Sequence, residues 1–595
     1  MTFAAVLVDK SVKETGPKYV IPPKVATKES LAVLLFLLSL ILLTIVAPIL
    51  LLFIILRTSA RVILKLKHGK NYGGLVDSED VMWKIEDITN PLINILTIQQ
   101  SKISNPEEYF DYIKQCFNGA TSGSNAHKLT SICKFFVGYA YYLDNQLTID
   151  DICNKLTVDN GKNYLVETEL KDILGDLAGR PMPKDNLGLF EVLVVQKSLK
   201  HVDPDTYQYA VIFRVDHIVA DGINLTTFLL QNFADDQEGL KRNLKDLISK
   251  FDTSKTKISK KSGWQSIVQT ARCIGTFMVH FPIVFANQLF VIDCNCLHGP
   301  KLSGKKFAVY SVEEEGEDLM NTVKQIKRKV AGSSFSSVML TAVSRAVGKH
   351  MQKINTPDDC IKLQHQLNFV LSWWVENKLE LNLRKCKIVS YTRKINVCEY
   401  PYSVDGSVLE RCSDRQCEIP DFLSVLITAL FSIPSMEKTA VLENNFSMGI
   451  MNMPLIKRPE TAYCQIGLME KYWNEMKEKP DFLVNFLMFK HVFGLIPIPI
   501  LARTLRADKV TMSISNLPGV PKVQVYGGQQ LEKLVFFTPH RGTAGMGITI
   551  ITYDNKFQMG LMIDKVLISS KEEAQKLLDD VLKEIRRMEE ELGLS

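Results

Sequence analysis

The longest uninterrupted hydrophobic pattern lies near the start of the chain. Residues 31–56, LAVLLFLLSLILLTIVAPILLLFIIL, contain no charged side chain. A helix over this segment extends about 39 Å at about 1.5 Å per residue, which exceeds the roughly 30 Å hydrocarbon core of a bilayer. The apolar part of a cleaved signal peptide has only about 7–15 residues and lies nearer the start. The pattern therefore predicts a transmembrane helix, in which a membrane tolerates the kink that Pro48 introduces.

Basic residues flank this segment unevenly. The lysines before it are spread out and interleaved with acidic residues, whereas the basic residues after it are closely spaced: Arg57, Arg61, Lys65, Lys67 and Lys70. Positively charged flanks stay on the cytosolic side of a membrane. We therefore expect a single-pass protein of the endoplasmic reticulum whose body faces the cytosol.

Farther along the chain, a strand pattern changes directly into a helix pattern. Tyr207–Val215 is rich in β-branched and aromatic residues, which predicts a buried strand. Ile223–Phe233 has apolar residues at helical spacing. The segment RVDHIVADGIN, Arg214–Asn224, therefore lies in a strand–loop–helix junction.

Two more apolar stretches and one amphipathic helix follow. Cys273–Ile292 and Phe486–Arg506 each fit a helix that lies on the membrane or is buried in the protein, and Cys273–Ile292 could also form a poor second span. Near the end, Ser570 and Glu573 form a capping box, which predicts a helix through Glu591.

Composition narrows the class of protein. Of 595 residues, 46% are hydrophobic and 23% are charged, which excludes a wholly disordered chain. The net charge of +6 is too diffuse to predict nucleic-acid binding. The twelve cysteines lack tight pairing, which favours reduced thiols in the cytosol. The segment Asp293–His298, DCNCLH, has no second half of suitable spacing, so we predict no metal site.

The composition changes between residues 356 and 415, where four of the twelve cysteines fall. Read from its residues, this segment predicts an amphipathic helix over Ile361–Val375 followed by short strands. However, LSWWVENKLELNLRKCKIVSYTRK and YPYSVDGSVLER resemble part of the reverse transcriptase of non-long-terminal-repeat retrotransposons. The polymerase site is incomplete here. We interpret the segment as an insertion or a wrongly retained exon, and expect no nucleic-acid partner.

The strand–loop–helix junction carries the candidate chemistry. A histidine is the side chain best suited to remove a proton near neutral pH, and His217 directly follows the predicted strand. Asp221 can hold the loop, and Gly222 allows a tight turn or a close backbone approach. From these residues alone, a histidine that merely satisfies a strand end is the better explanation of the pattern.

A resemblance to a known family favours the catalytic interpretation. The junction resembles the His-His-x-x-x-Asp-Gly signature of the wax ester synthase/diacylglycerol acyltransferase (WS/DGAT) family, part of the chloramphenicol-acetyltransferase-like superfamily. Other blocks similar to that family occur in its order: Gly74–Pro91, Leu177–Val195, Gly299–Val312, Ser333–Val347, Ser513–Leu531 and Gly545–Lys565.

The resemblance implies an α/β fold of two chloramphenicol-acetyltransferase-like subdomains with a tunnel between them, preceded by the transmembrane helix. Its implied organisation is: a tail, 1–30; the transmembrane helix, 31–56; an N-terminal subdomain, 73–238; a linker with an apolar helix, 239–302; a C-terminal subdomain, 303–567, containing the insertion 356–415; and a final helix, 568–595.

The resemblance also implies a reaction and its site. His217 would act as the base that transfers an acyl group from acyl-CoA, a co-substrate, to a long-chain alcohol or diacylglycerol, without a permanently bound cofactor. Wax ester or triacylglycerol would form. Asp216, Asp221 and Gly222 would support the motif, with Asp221 pairing with a buried arginine such as Arg214 or accepting backbone hydrogen bonds. A turn with Ser515, Asn516 and Gly519 is the candidate oxyanion donor.

This chain departs from the family pattern at three places. Asp216 replaces the first histidine, Ser336-Ser337 replaces an Asn-Asp pair, and Gly188-Leu189-Phe190 replaces Pro-Leu-Trp. These departures leave a second hypothesis open, in which the chain is a weakly active or inactive lipid-binding protein with the acyltransferase fold.

Overall fold

The computed structural model describes residues 28–85, 92–121, 124–199, 205–241, 263–290, 295–298, 302–353, 420–430, 440–455, 461–505, 510–540 and 542–594, and four two-residue strands between 387 and 411. The helices are α1 (Lys28–His68), α2 (Pro106–Thr121), α3 (Ile149–Ile152), α4 (Glu167–Leu177), α5 (Pro183–Asn186), α6 (Gly222–Phe233), α7 (Gly263–Phe290), α8 (Leu319–Lys329), α9 (Phe335–Lys353), α10 (Ala462–Glu478), α11 (Asp481–His491), α12 (Ile498–Thr504) and α13 (Lys571–Glu591). Short 3₁₀ helices cover Gly69–Asn71, Val81–Lys84, Ser124–Thr130 and Phe493–Leu495.

The strands are β1 (Tyr72–Leu75), β2 (Leu92–Ser101), β3 (Ile132–Phe136), β4 (Tyr139–Leu143), β5 (Cys153–Leu156), β6 (Phe190–Val195), β7 (Tyr207–Asp216), β8 (Lys306–Val312), β9 (Lys387–Ile388), β10 (Ser403–Val404), β11 (Ser407–Val408), β12 (Glu410–Arg411), β13 (Phe422–Leu430), β14 (Phe446–Pro454), β15 (Met512–Val520), β16 (Gln524–Val525), β17 (Gln529–Phe537), β18 (Met546–Tyr553) and β19 (Lys556–Asp564).

Two six-stranded sheets form the body. One sheet has the order β16-β17-β2-β7-β6-β5 and the other β14-β13-β15-β18-β19-β8. Strands of a mixed sheet with helices on its faces bury both surfaces, and β6 is buried at every position. The predicted α/β fold with two sheet-based halves is confirmed.

The two halves are interlocked by one hairpin. Strands β16 and β17 follow β15 in the chain, yet β17 pairs with β2 of the first sheet, for example Phe536 with Ile95. A core between the sheets joins side chains of both, including Ile212 from β7 and Tyr310 from β8. The halves therefore share buried surface.

The predicted junction has the expected elements. Strand β7 covers Tyr207–Asp216, one residue longer than the predicted strand, and α6 begins at Gly222. At the other end of the chain, Ser570 accepts a hydrogen bond from the Glu573 amide at 3.1 Å, and α13 ends at Glu591. The predicted capped helix is confirmed.

Helix α1 contains the predicted apolar segment but is longer. It continues through the basic residues and ends at His68. In this last part of the helix, Ala60 and Leu64 are buried in the core of the first half. Among the described residues, one helix, Ser30–Asn71, is long and apolar enough to cross a membrane. Helix α7, which holds the second apolar stretch, packs against α1, and the Ser39 hydroxyl donates to the Met278 carbonyl. The third stretch forms α11, a 3₁₀ turn and α12.

Several predicted features lie outside the described residues. These are the helix over Ile361–Val375 and most of the insertion 356–415, of which only β9 to β12 are described. In the part of the chain that the structure does cover, no group of three or more His, Cys, Asp or Glu side chains could hold a metal ion.

Candidate active site

The loop with His217 is fixed at both ends by the elements that flank it. At its start, the Asp216 amide donates to Leu189 O at 2.9 Å. At its end, one Asp221 carboxylate oxygen caps α6 by accepting from the amides of Ile223 (3.1 Å) and Asn224 (2.9 Å). These bonds satisfy donors that a helix start otherwise leaves unpaired.

Asp221 also ties the two halves together. Its other carboxylate oxygen accepts from the Asn224 side chain at 3.0 Å and from the Asn445 amide at 2.9 Å. Burial raises the pKa of Asp221, and these hydrogen bonds act against that rise. The predicted structural role through backbone hydrogen bonds agrees with this geometry. The suggested partner Arg214 pairs instead with Glu191 and donates to Leu177 O at 3.0 Å.

The His217 ring lies between aromatic side chains. It stacks on Trp83 with ring centroids 3.8 Å apart and an interplanar angle of 12°, and Phe446 is tilted against it at 5.6 Å. Its Nδ1 atom is buried and makes no hydrogen bond with the described residues. Burial lowers the pKa of His217 to about 4. The imidazole is therefore neutral at physiological pH and able to accept a proton.

His217 lines a cavity between the two halves. The cavity measures about 100 Å³. Both halves of the molecule contribute to its walls. The lining residues are Trp83, Ile93, His217, Asp221, Gly222, Leu426, Thr428, Phe446, Met448, Ser513, Ile514, Ser515, Asn516, Leu517, Phe536, Thr538, Pro539 and Ala544. His217 of the first half thus shares this cavity with hydroxyl side chains of the second half, among them Ser513 and Ser515.

An apolar cavity of about 70 Å³ adjoins this one. The two cavities share four lining residues: Ile93, Gly222, Leu517 and Phe536. The second cavity follows alternate side chains of β2 as far as Gln99, because residues two apart on a strand share a face. A Cβ at position 222 would lie only 3.1 Å from Leu517, so glycine keeps this junction open.

Asp216, which occupies the position of the family's first histidine, forms an ion pair with Lys84. Its other carboxylate oxygen accepts from the Ile218 amide at 3.1 Å. Asp216 is buried and does not line the cavity. It acts on the shape of the loop rather than on the space where substrates would meet.

A buried polar network, which no sequence pattern predicted, holds the loop that carries His217. Asn444 donates to the His217 carbonyl at 2.6 Å and to Asp80 at 2.7 Å. Lys128 lies 3.5 Å from Asp80 and donates to the Ile218 carbonyl at 3.1 Å. Burial raises the pKa of Asp80 to about 7. Asp80 lies in the conspicuous opening block, but no local pattern pointed to Lys128 or Asn444.

The structure places two of the three candidate oxyanion residues at the cavity. Ser515 and Asn516 line the cavity, whereas Gly519 does not. All three lie in β15 and not in a turn, with a register irregularity between Leu517 and Val520. A Cβ at position 519 would lie 2.2 Å from the Thr552 hydroxyl, so Gly519 permits close strand packing.

Three other hydroxyl side chains line the cavity, those of Thr428, Ser513 and Thr538. Ser513 Oγ and Thr538 Oγ1 lie 3.5 Å apart in its wall. Ser513 was part of a resemblance block, but strand alternation alone did not show that it faces His217.

The other departures from the family pattern lie away from the cavity. The Ser337 hydroxyl donates to Ser334 O at 2.9 Å, at the start of α9, while Ser334 donates to Glu470 at 2.6 Å. Phe190 is buried in the core of the first half. Neither Ser337 nor Phe190 lines the space next to His217.

Two interlocked α/β halves with a histidine at the cavity between them form the two-sheet architecture predicted above. Within the second half, residues 442–589 match the model of the WS/DGAT C-terminal domain. The predicted resemblance to this family is confirmed over these residues.

Solved structures with similar architecture come from several enzymes. A wax ester synthase/diacylglycerol acyltransferase from Marinobacter aquaeolei is 11% identical, covering 88% of this chain and 100% of that chain, with a TM-score of 0.48. A trichothecene 15-O-acetyltransferase from Fusarium sporotrichioides is 10% identical, covering 86% and 93%, with a TM-score of 0.49. The first condensation domain of the CDA synthetase is 10% identical, covering 87% and 96%, with a TM-score of 0.48. No curated protein sequence matches the chain.

Proposed function

We propose that the protein is a membrane-anchored, acyl-CoA-dependent O-acyltransferase that esterifies a long-chain alcohol or diacylglycerol to wax ester or triacylglycerol. One observation carries the proposal: the neutral His217 ring lines a cavity between the halves, opposite side-chain hydroxyls. The WS/DGAT domain at residues 442–589 supports the acyltransferase class.

In this mechanism, His217 accepts the hydroxyl proton of the alcohol while the alcohol oxygen attacks the thioester carbonyl. The new C–O bond forms, and the carbonyl electrons move to an oxyanion. Cavity hydroxyls of Ser513, Ser515 or Thr538 supply donors for that oxyanion. Collapse of the intermediate breaks the C–S bond, and the histidinium returns its proton to the coenzyme A thiolate.

The low pKa of His217 has a consequence for this step. A weakly basic imidazole stays unprotonated at neutral pH, so it is always in the state that accepts a proton. Its protonated form, which burial disfavours, readily gives the proton to the leaving thiolate. The adjoining cavity, lined by Ile95 and Leu534, is apolar like the alkyl chain of the proposed substrates.

Membrane anchoring fits the substrates, since long-chain alcohols and diacylglycerol partition into lipid. The apolar face of α1 presents exposed Val33, Leu37 and Ile41. We propose that the endoplasmic reticulum holds this helix and that the body lies on the cytosolic side, with acyl-CoA as co-substrate and no permanent cofactor.

An acyl-transfer assay tests the proposal. Microsomes are prepared from cells that express the full chain and are given labelled acyl-CoA with either a fatty alcohol or diacylglycerol. We expect labelled ester from wild type and from His127→Ala, a change at an exposed histidine outside the cavity. His217→Ala should form none. Equal product from His217→Ala would contradict the mechanism, and retained acyl chains without turnover in wild type would favour the lipid-binding hypothesis.

A further inference from the structure

A small hairpin outside the active site exposes a cluster of large apolar side chains. Strands β3 and β4 are joined by two residues, since Phe136 pairs with Tyr139. On this tip, Phe135 is 57% exposed and Val137 is 60% exposed. On the neighbouring helix α12, Ile500 is 43% exposed. Such a patch marks a surface that contacts a partner or a membrane.

The turn at this tip has an unusual residue. Val137 has φ 49° and Gly138 has φ 80°, the left-handed conformations of a two-residue hairpin turn. Asn-Gly is the pair that suits such a turn, whereas a β-branched residue there is strained. An exposed apolar valine that bears this strain points to a role outside the folding of the hairpin itself.

The hairpin tip lies next to the end of the candidate membrane helix. Tyr139 Oη is 3.1 Å from the Phe53 carbonyl of α1 and 2.9 Å from the Leu495 carbonyl. Phe53 lies within the charge-free segment, about 6 Å before Arg57 along the helix axis at about 1.5 Å per residue. The tip is therefore level with the last turn of the apolar segment.

Other contacts fix this arrangement rigidly. The Ile498 amide donates to Gly138 O at 2.8 Å, which holds α12 against the tip. Arg57 donates to the carbonyls of Gly494 (2.6 Å) and Val76 (2.9 Å), which locks α1 to the body at this level. The exposed tip thus cannot move independently of the membrane helix.

Charge also favours a lipid partner over a protein partner. Exposed basic residues follow the apolar segment along α1 and the 3₁₀ turn after it, and one lies on α12 with Ile500: Arg61, Lys65, Lys67, Lys70 and Arg503. Basic residues next to an apolar anchor match the anionic surface of a cytosolic leaflet. Apolar insertion with a basic border is the pattern of interfacial membrane binding.

We propose that the β3–β4 hairpin tip and Ile500 insert into the phospholipid bilayer beside α1, so that the body rests on the membrane at a second point. The proposal rests on the membrane anchoring proposed above and not on acyl transfer. The 3₁₀ turn at Phe493–Leu495 links this contact to the active site, because the Gly494 amide donates to Ser78 Oγ at 2.8 Å in the block that leads to Trp83.

The full-length protein in liposomes tests the proposal through tryptophan fluorescence. Phe135→Trp should add emission that phospholipids brominated in their acyl chains quench and that aqueous acrylamide does not. A matched control, Tyr164→Trp, changes an exposed aromatic residue in the segment before α4 and should show the reverse. Alkaline carbonate extraction of the same liposomes checks separately that α1 is embedded.

A second variant separates lipid contact from damage to the fold. Val137→Asn places the preferred residue in the turn, so the thermal stability in detergent should be kept or raised, while quenching of the Phe135→Trp reporter by brominated lipid should fall. The proposal is overturned if Phe135→Trp behaves like Tyr164→Trp, if both quenchers fail because a protein covers the tip, or if Val137→Asn leaves lipid quenching unchanged.

Discussion

At the scale of single residues, the environment of His217 determines its chemistry more than its position in the sequence does. The sequence indicated a histidine after a strand, but it did not show that Trp83 stacks on the ring. That contact joins positions 83 and 217, which no local pattern connects. Removal of water from the ring lowers its pKa to about 4.

The pH dependence of acyl transfer follows from this low pKa. Protonation removes the base, so kcat/KM should stay level from neutral pH downwards and fall only as the pH approaches about 4. Trp83→Ala admits water and should move this acid limb upwards towards the ordinary histidine range, whereas Trp473→Ala, in the other core, should not move it. A wild-type limb near the ordinary value would show that His217 is not desolvated.

Asp216 illustrates a substitution that only the structure explains. The resemblance left the effect of Asp216 on the loop open. In the structure, Asp216 forms an ion pair with Lys84, and the two side chains are 6% and 15% exposed, respectively. Asp216→Asn removes this partner of the Lys84 charge, which should reduce the free energy of unfolding by about 3–5 kcal/mol.

A double-mutant cycle checks this pair. Denaturant unfolding should show that Lys84→Met combined with Asp216→Asn is less destabilised than the sum of the single variants, because the Lys84 charge that lost Asp216 is then gone. Strict additivity would mean that the two side chains do not interact in solution.

At the scale of elements, local patterns predicted what local physics controls. The strand ending at Asp216, the helix starting at Gly222 and the capped helix α13 all depend on alternation, helical spacing or capping within a few residues. The segment with Ser515 was predicted as a turn because of its Pro and Gly residues. It belongs to strand β15 instead, since β18 pairs with Ser515 and Leu517, and β13 pairs with the start of the same strand as far as Ile514.

The insertion 356–415 yields a prediction at this scale. Helix α9 before it and strand β13 after it both pack in the core of the second half. A chain that lacks residues 356–415 should therefore keep its thermal stability in detergent and its acyl transfer. Loss of folding in this variant, with an unchanged fold in a control that lacks only part of the segment, would show that the insertion is integral to the fold.

At the scale of the whole molecule, no sequence pattern indicated how the halves interlock. Strand β17 belongs to the second half by chain order and to the first sheet by pairing. Pairing over this sequence distance leaves no local signal. The same hairpin brings Thr538 to the cavity. Because this placement depends on the long-range pairing, the sequence did not predict that the Thr538 hydroxyl lies there.

Interlocking predicts cooperative unfolding. Residues 73–238 expressed alone lack β16 and β17, so the edge of β2 would be unpaired, and we expect this fragment to be unfolded or aggregated. Adding a peptide of residues 524–537 should restore some folded protein, as measured by circular dichroism and solubility. A stable fragment without the peptide would contradict the interlocked architecture.

The proposed acyl transfer depends on His217 accepting a proton inside the cavity between the halves. The most direct measurement is the turnover of purified full-length protein and His217→Ala with acyl-CoA and a long-chain alcohol, together with acyl-CoA affinity. Loss of a general base typically lowers kcat by about 10²–10⁴-fold, and we predict this loss with unchanged acyl-CoA affinity. Equal turnover by the two proteins would contradict the account.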